Sequence, residues 1–301
     1  MAALRCINLR ADREPAYKTA APEGTPMAVT LRRGVLFQYR RFSLYNSPYV
    51  AHDRGRAIDL YPPADARTVP SPVAGEVIDT LAVDAPPKPY AAEKDHLILV
   101  DTGEYVARLL HVKPSVDVGD EIEVGDPLGT LVRAGFFAPW VPNHVHLGFR
   151  DPDANPYRAS GSLPIEVAVD VEPLSWDGTG TVVETGDAMA RLDDPAHPAP
   201  GERFVGLASG GGVLDGGFPH YDGGGLLGGD GPAEIAGARV GSVAGRDVSW
   251  RDATVLANGE PVTGIALFCG RDAFGTKLVG ESIDLSEGEV VSVTIRVGDE
   301  G

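Results

Sequence analysis

Cysteine is almost absent from this chain. Cys6 and Cys269 are the only two in 301 residues, they lie far apart, and neither belongs to a C-x-x-C pair. That excludes a disulfide framework and gives no support to a zinc–thiolate site. Lysine is scarce as well, at 5 against 21 arginines, and 43 Asp and Glu outnumber 26 Lys and Arg to give a formal net charge of −17. So negative a surface repels phosphate backbones and anionic lipid, which argues against nucleic acid or membrane as a partner. Arginine in place of lysine under an acidic excess resembles the habit of proteins from salt-loving microbes. There is no apolar run of about 18 residues, so no membrane-spanning helix is expected. The opening MAALRCINLRADREPAY has no secretory apolar core and carries acids early. The expected location is cytoplasmic.

What is abundant is glycine (38) and proline (25), while long helical periodicity is missing. Short runs rich in Val, Ile, Leu, Phe and Tyr recur between Gly, Pro and Asp clusters, which predicts an all-β protein. The runs include GVLFQYRRF (34–42), RAIDLY (56–61), GEVIDTLAV (75–83), HLILVDT (96–102), YVARLLHV (105–112), DEIEVGDPLGTLV (120–132) and HVHLGF (144–149). The turn-rich DPDANPYRASGSLP reads as a boundary. This divides the chain into a first β unit, 1–160 with its core at 50–150, and a Gly-rich, β-rich unit, 161–301, whose role and protein partner the sequence leaves open. Residues 201–245 hold 16 glycines and read either as flexible or as tight turns. The formal G-x-G-x-x-G at Gly223–Gly228 lacks a βαβ setting and is not a dinucleotide site.

The histidines of the first unit carry the chemistry. Residues i and i+2 of a strand share a face, so His144 and His146 project together while Val145, Leu147 and Phe149 face a core. In RAIDLY, Ile58 and Leu60 point inward and Asp59 points the other way. His52 lies on a loop leading into that strand, and His111 ends another strand beside a turn. Two imidazoles and a carboxylate make up the three-ligand count of catalytic zinc, with a fourth position left for water. Zinc lowers that water's pKa to about 7, and a neighbouring histidine can take its proton or stabilise the oxyanion. His96, His197 and His220 fall outside this pattern. His96 reads as structural, His197 as a loop residue, and His220, beside Tyr221 and Asp222, as a lesser candidate.

The ordered set His52, Asp59, SPVAGEVI, LLHV, VGDEIEVGDPLG and HVH resembles the lysostaphin/LytM-type zinc metallopeptidases over residues 50–150. The resemblance implies an antiparallel β domain, the duplicated hybrid motif, that hydrolyses peptide-type amide bonds. It implies zinc on His52, Asp59 and His146, with His144 as general base and His111 stabilising the transition state. The implied partner is a peptide or peptide-like substrate. The chain departs from the family in spacing, since H-x-G-x-D would put the first ligand at position 55, which is Gly. It also departs in the aromatic segment GFFAPWVPN (135–143) before the histidines, which could wall a groove or plug it. A scaffold that kept the fold and lost hydrolysis is the alternative. The same β pattern resembles biotinyl and lipoyl carrier domains, but Lys88, Lys94 and Lys113 are not at the required hairpin tip.

Overall fold

A computed structural model of the chain describes residues 17–20 and 28–298. Cys6 and the opening stretch lie outside them. Among the described residues strands dominate, and helix is confined to a four-residue α1 (Arg33–Leu36) and a 3-10 turn at Val50–Gly55. No helix among the described residues is long and apolar enough to cross a membrane. The expected all-β class is therefore observed, with mostly antiparallel pairing.

The first domain contains β1 (Tyr17–Ala20), β2 (Ala28–Arg32), β3 (Arg41–Ser43), β4 (Ala57–Tyr61), β5 (Val69–Pro70), β6 (Gly75–Asp84) and β7 (Lys94–Asp101). It continues with β8 (Val106–Leu110), β9 (Val112–Pro114), β10 (Glu121–Ile122), β11 (Pro127–Leu131), β12 (Val145–Arg150) and β13 (Ile165–Ala168). Its main sheet is antiparallel in the order β3-β4-β12-β8-β7-β6-β10. A small sheet β5-β11-β9 closes one side. The run 34–42, expected as a strand, is instead divided. Residues 33–36 form α1, with Val35 and Leu36 buried, and the strand begins only at Arg41.

Alternation explains why β12 is central. Val145, Leu147 and Phe149 are fully buried in a core with Ile58, Leu60, Ala107 and Leu109, leaving the other face of the sheet for His146. Both faces of β4 are covered, since all five of its residues are buried. Its second face is covered by the site.

After the turn-rich 151–164, β13 returns to pair in parallel with β2, so the first domain runs on to Ala168. The second domain follows as fifteen strands from β14 (Val171–Leu174) to β28 (Val290–Val297). It has its own core around Leu214, Phe218, Leu226, Ile265 and Leu278. Phe204, Val213, Leu227 and Cys269 instead join the first domain's core, and the pair Cys269–Phe42 continues the sheet across the junction. The glycine-rich stretch is mainly strand and not a run of turns. Within β18 (Gly212–Phe218) and β19 (Gly223–Leu227), a Cβ at Gly224 would lie 2.2 Å from the Trp250 ring and one at Gly225 2.3 Å from Tyr45. These glycines let strands pass directly beneath aromatic rings.

Candidate metal centre

His146 sits on β12 directly opposite Asp59 on β4, and residues facing each other across a ladder have neighbouring side chains. His52 reaches the same point from the 3-10 turn. The backbone turns left-handed at Arg54 (φ 58°) and Gly55 (φ 63°), and two such residues in succession fold the extra loop length back toward β4. Gly55 is constrained twice, since a Cβ there would also meet Arg246 at 2.2 Å.

Nε2 of His52 lies 3.0 Å from Nδ1 of His146 and 3.2 Å from Oδ1 of Asp59, and His146 Nδ1 lies 3.1 Å from the same oxygen. Zinc bonds of about 2.0–2.1 Å in a tetrahedral sphere imply ligand–ligand edges of about 3.3 Å, so this triangle is one face of such a sphere, slightly contracted. The donor chemistry fits as well. His52 donates Nδ1–H to the carbonyl oxygen of Leu44 at 2.9 Å, which leaves the lone pair of Nε2 aimed at the carboxylate. All three residues are buried. Three electron-rich atoms crowded out of water need a cation at their centre, either a metal ion or a shared proton. Burial lowers the His146 imidazole to about 3, so it is neutral, as a ligand must be. Burial opposes charge on Asp59 too, but the adjoining His144 and His52 outweigh it and hold Asp59 well below the usual carboxylate range, while Asp59 raises His52 against its own burial.

His144 and His111 line the same cleft. His144 precedes β12, donates Nδ1–H to the carbonyl of Pro142 at 2.9 Å, and brings Nε2 to 3.3 Å from Asp59 Oδ1. His111 breaks the strand between β8 and β9 with a left-handed φ of 70°, a strained backbone of the kind that collects at functional sites. Its Nδ1 lies 2.6 Å from Oδ2 of Asp95, which is fully buried and also accepts the His96 N–H. Burial holds His111 below the ordinary histidine value against the pull of Asp95.

The cleft has a volume of about 180 Å³. Phe136 and Phe137 wall it rather than plug it. Phe137 packs on His144 (4.4 Å between centroids) and His111 (4.6 Å), and Phe136 meets Tyr49 at 5.7 Å. Trp140 turns away and packs against His220. His220 is half-buried outside the cleft, and its neighbour Tyr221 lines it instead. His96 contributes a backbone carbonyl to His111 N, and His197 caps its own loop.

Several functional residues escaped sequence reasoning. Asp95 shares a strand face with Leu97 and Leu99 and is fully buried, and an acid heading those two leucines was its signal. Asp215 lies on β18 in the second domain. It accepts hydrogen bonds from the N–H groups of Leu44 (2.5 Å) and Tyr45 (3.2 Å) and from the Ser43 hydroxyl (2.5 Å), so it fixes the segment whose carbonyl orients His52. No local pattern connects residues 170 apart.

Residues 30–167 match a family model described as Domain of unknown function (DUF8155) N-terminal domain. Residues 172–296 match the model described as Domain of unknown function (DUF8155) C-terminal domain. The two matches meet where β13 hands over to β14. Comparison with curated proteins and with solved structures found no match.

Proposed function

We propose that this chain is a zinc-dependent hydrolase of lysostaphin/LytM type, acting on a peptide-like amide bond. The observation that carries the reading is the triangle of His52 Nε2, Asp59 Oδ1 and His146 Nδ1, with sides of 3.0 to 3.2 Å. Zinc held by these residues would acidify water and polarise a carbonyl.

The chain's own groups supply the rest. With Nδ1–H committed to Pro142, His144 keeps Nε2 as a base beside Asp59 and takes a proton from the attacking water. That proton then passes to the leaving amine, so proton count is conserved. His111, with Nδ1–H on Asp95, presents its other nitrogen to the cleft. Carrying a proton taken from solvent on that nitrogen and keeping it through the reaction, it donates a hydrogen bond to the oxygen on which charge develops, and Asp95 favours the protonated ring. Tyr49, Phe136 and Phe137 exclude water and grip an apolar side chain next to the bond.

The test is cleavage of a mixed short-peptide library by zinc-loaded protein, read by mass spectrometry. Cleavage that stops with chelator and returns with zinc supports the reading. Full zinc loading with no cleavage of any peptide-type bond overturns it and leaves a scaffold that has lost hydrolysis.

A further inference from the structure

Arg108 is a buried cation without a partner, and it lines the same cleft. The residue is 4% exposed, and its Nε is buried with no hydrogen-bond acceptor. No acidic side chain among the described residues pairs with it, and the charge that acts on it is the like charge of Arg150. Arg150 shares a buried, unpartnered Nε, but its two terminal nitrogens are held by Ser162 and by the carbonyls of Arg158 and Ala159. Burial lowers the Arg108 guanidinium only to about 10, so it stays charged at neutral pH. A buried unpaired charge opposes folding. In a chain with 43 acidic residues, its isolation from all of those among the described residues is a property of the site.

Register gives the position. Leu110 of β8 faces His146 of β12, and Arg108 faces Gly148, so Arg108 is rooted two residues along the sheet from the metal-binding pair. At about 3.4 Å per residue that is about 7 Å, a span of one or two residues of an extended peptide. A guanidinium fork matches a carboxylate with two parallel hydrogen bonds.

We propose that Arg108 recognises a carboxylate carried by the substrate within one or two residues of the bond to be cut. This rests on the hydrolase reading of the cleft. It makes the substrate class an acid-bearing peptide, through either its free C-terminus or an acidic side chain.

The test uses chelator-treated protein, so that no bound metal can be the cation that holds the probe. Calorimetry compares N-acetyl-alanine (terminal carboxylate), N-acetyl-aspartyl amide (side-chain carboxylate only) and N-acetyl-alanine amide (no carboxylate). Wild type should bind one or both acids about 10- to 100-fold more tightly than the amide, the range expected of a charged hydrogen bond. The better acid identifies the source of the carboxylate. Arg108→Met should abolish the preference while zinc uptake by the untreated protein is unchanged. Equal binding of acids and amide by wild type overturns the proposal without needing any variant to fold, as does a preference that survives in Arg108→Met. Absence of zinc uptake would defeat the hydrolase reading and leave this comparison intact.

Discussion

Asp215 of the second domain holds Leu44 of the first, its Oδ2 lying 2.5 Å from the Leu44 nitrogen. The carbonyl of Leu44 in turn takes the Nδ1–H of His52. The second domain therefore sets the orientation of a ligand that the first domain supplies. Partners one step behind a metal ligand commonly account for 10- to 100-fold in affinity. Asp215→Ala should weaken zinc binding by about that factor without removing any ligand, measured by competition with a chromogenic chelator. Unchanged affinity would mean that Leu44 is held well enough without it.

The ligands and the auxiliary histidines should separate cleanly. His146→Ala should lose zinc and activity together, and His52→Ala likewise. His144→Ala should keep its zinc and lose about 10²- to 10⁴-fold in rate. Elemental analysis of each purified variant checks the assignment, and zinc retained in His146→Ala contradicts it.

Asp95 should act through His111. Asp95→Asn preserves shape but withdraws the charge that favours a protonated ring and permits the other tautomer. Zinc content should be unchanged and kcat should fall by about 100-fold, with the pH–rate profile displaced. A merely structural Asp95 would lower stability and leave that profile in place.

Lys277 supplies a pH signature independent of the metal. It is buried with Nζ on the Trp140 carbonyl, and burial lowers its pKa from 10.5 to about 7. The folded protein thus binds fewer protons than the unfolded chain between those values. The penalty of burying the charge is full below pH 7 and lifts as pH rises toward 10.5. Lys277→Met escapes the penalty, on the order of 5 kcal/mol at its limit. Urea unfolding at pH 7, 8 and 9 should show its advantage over wild type shrinking as pH rises. A constant difference would mean that Lys277 titrates normally.

Much of the site was legible because strand alternation is a strong local signal. It placed His146 opposite a core formed by Val145, Leu147 and Phe149, and it singled out Asp59 between Ile58 and Leu60. The His52 spacing was harder to read, since the seven residues to Asp59 are taken up by left-handed backbone at Arg54 and Gly55, and an arginine gives no warning of that conformation. Asp95 and His111 meet only through the register of neighbouring strands, and Asp215 only through the packing of two domains. The glycines of β19 looked like turns because the rings of Tyr45 and Trp250 that Gly225 and Gly224 accommodate come from distant segments.

The central claim is that His52, Asp59 and His146 converge on a metal ion and not merely on a shared proton. The most direct measurement is zinc per chain in native protein purified in high salt without added metal. The account predicts close to one equivalent, removable by chelator and restored by zinc. A value near zero that added zinc does not raise would contradict it, and would mean that the triangle is closed by a proton.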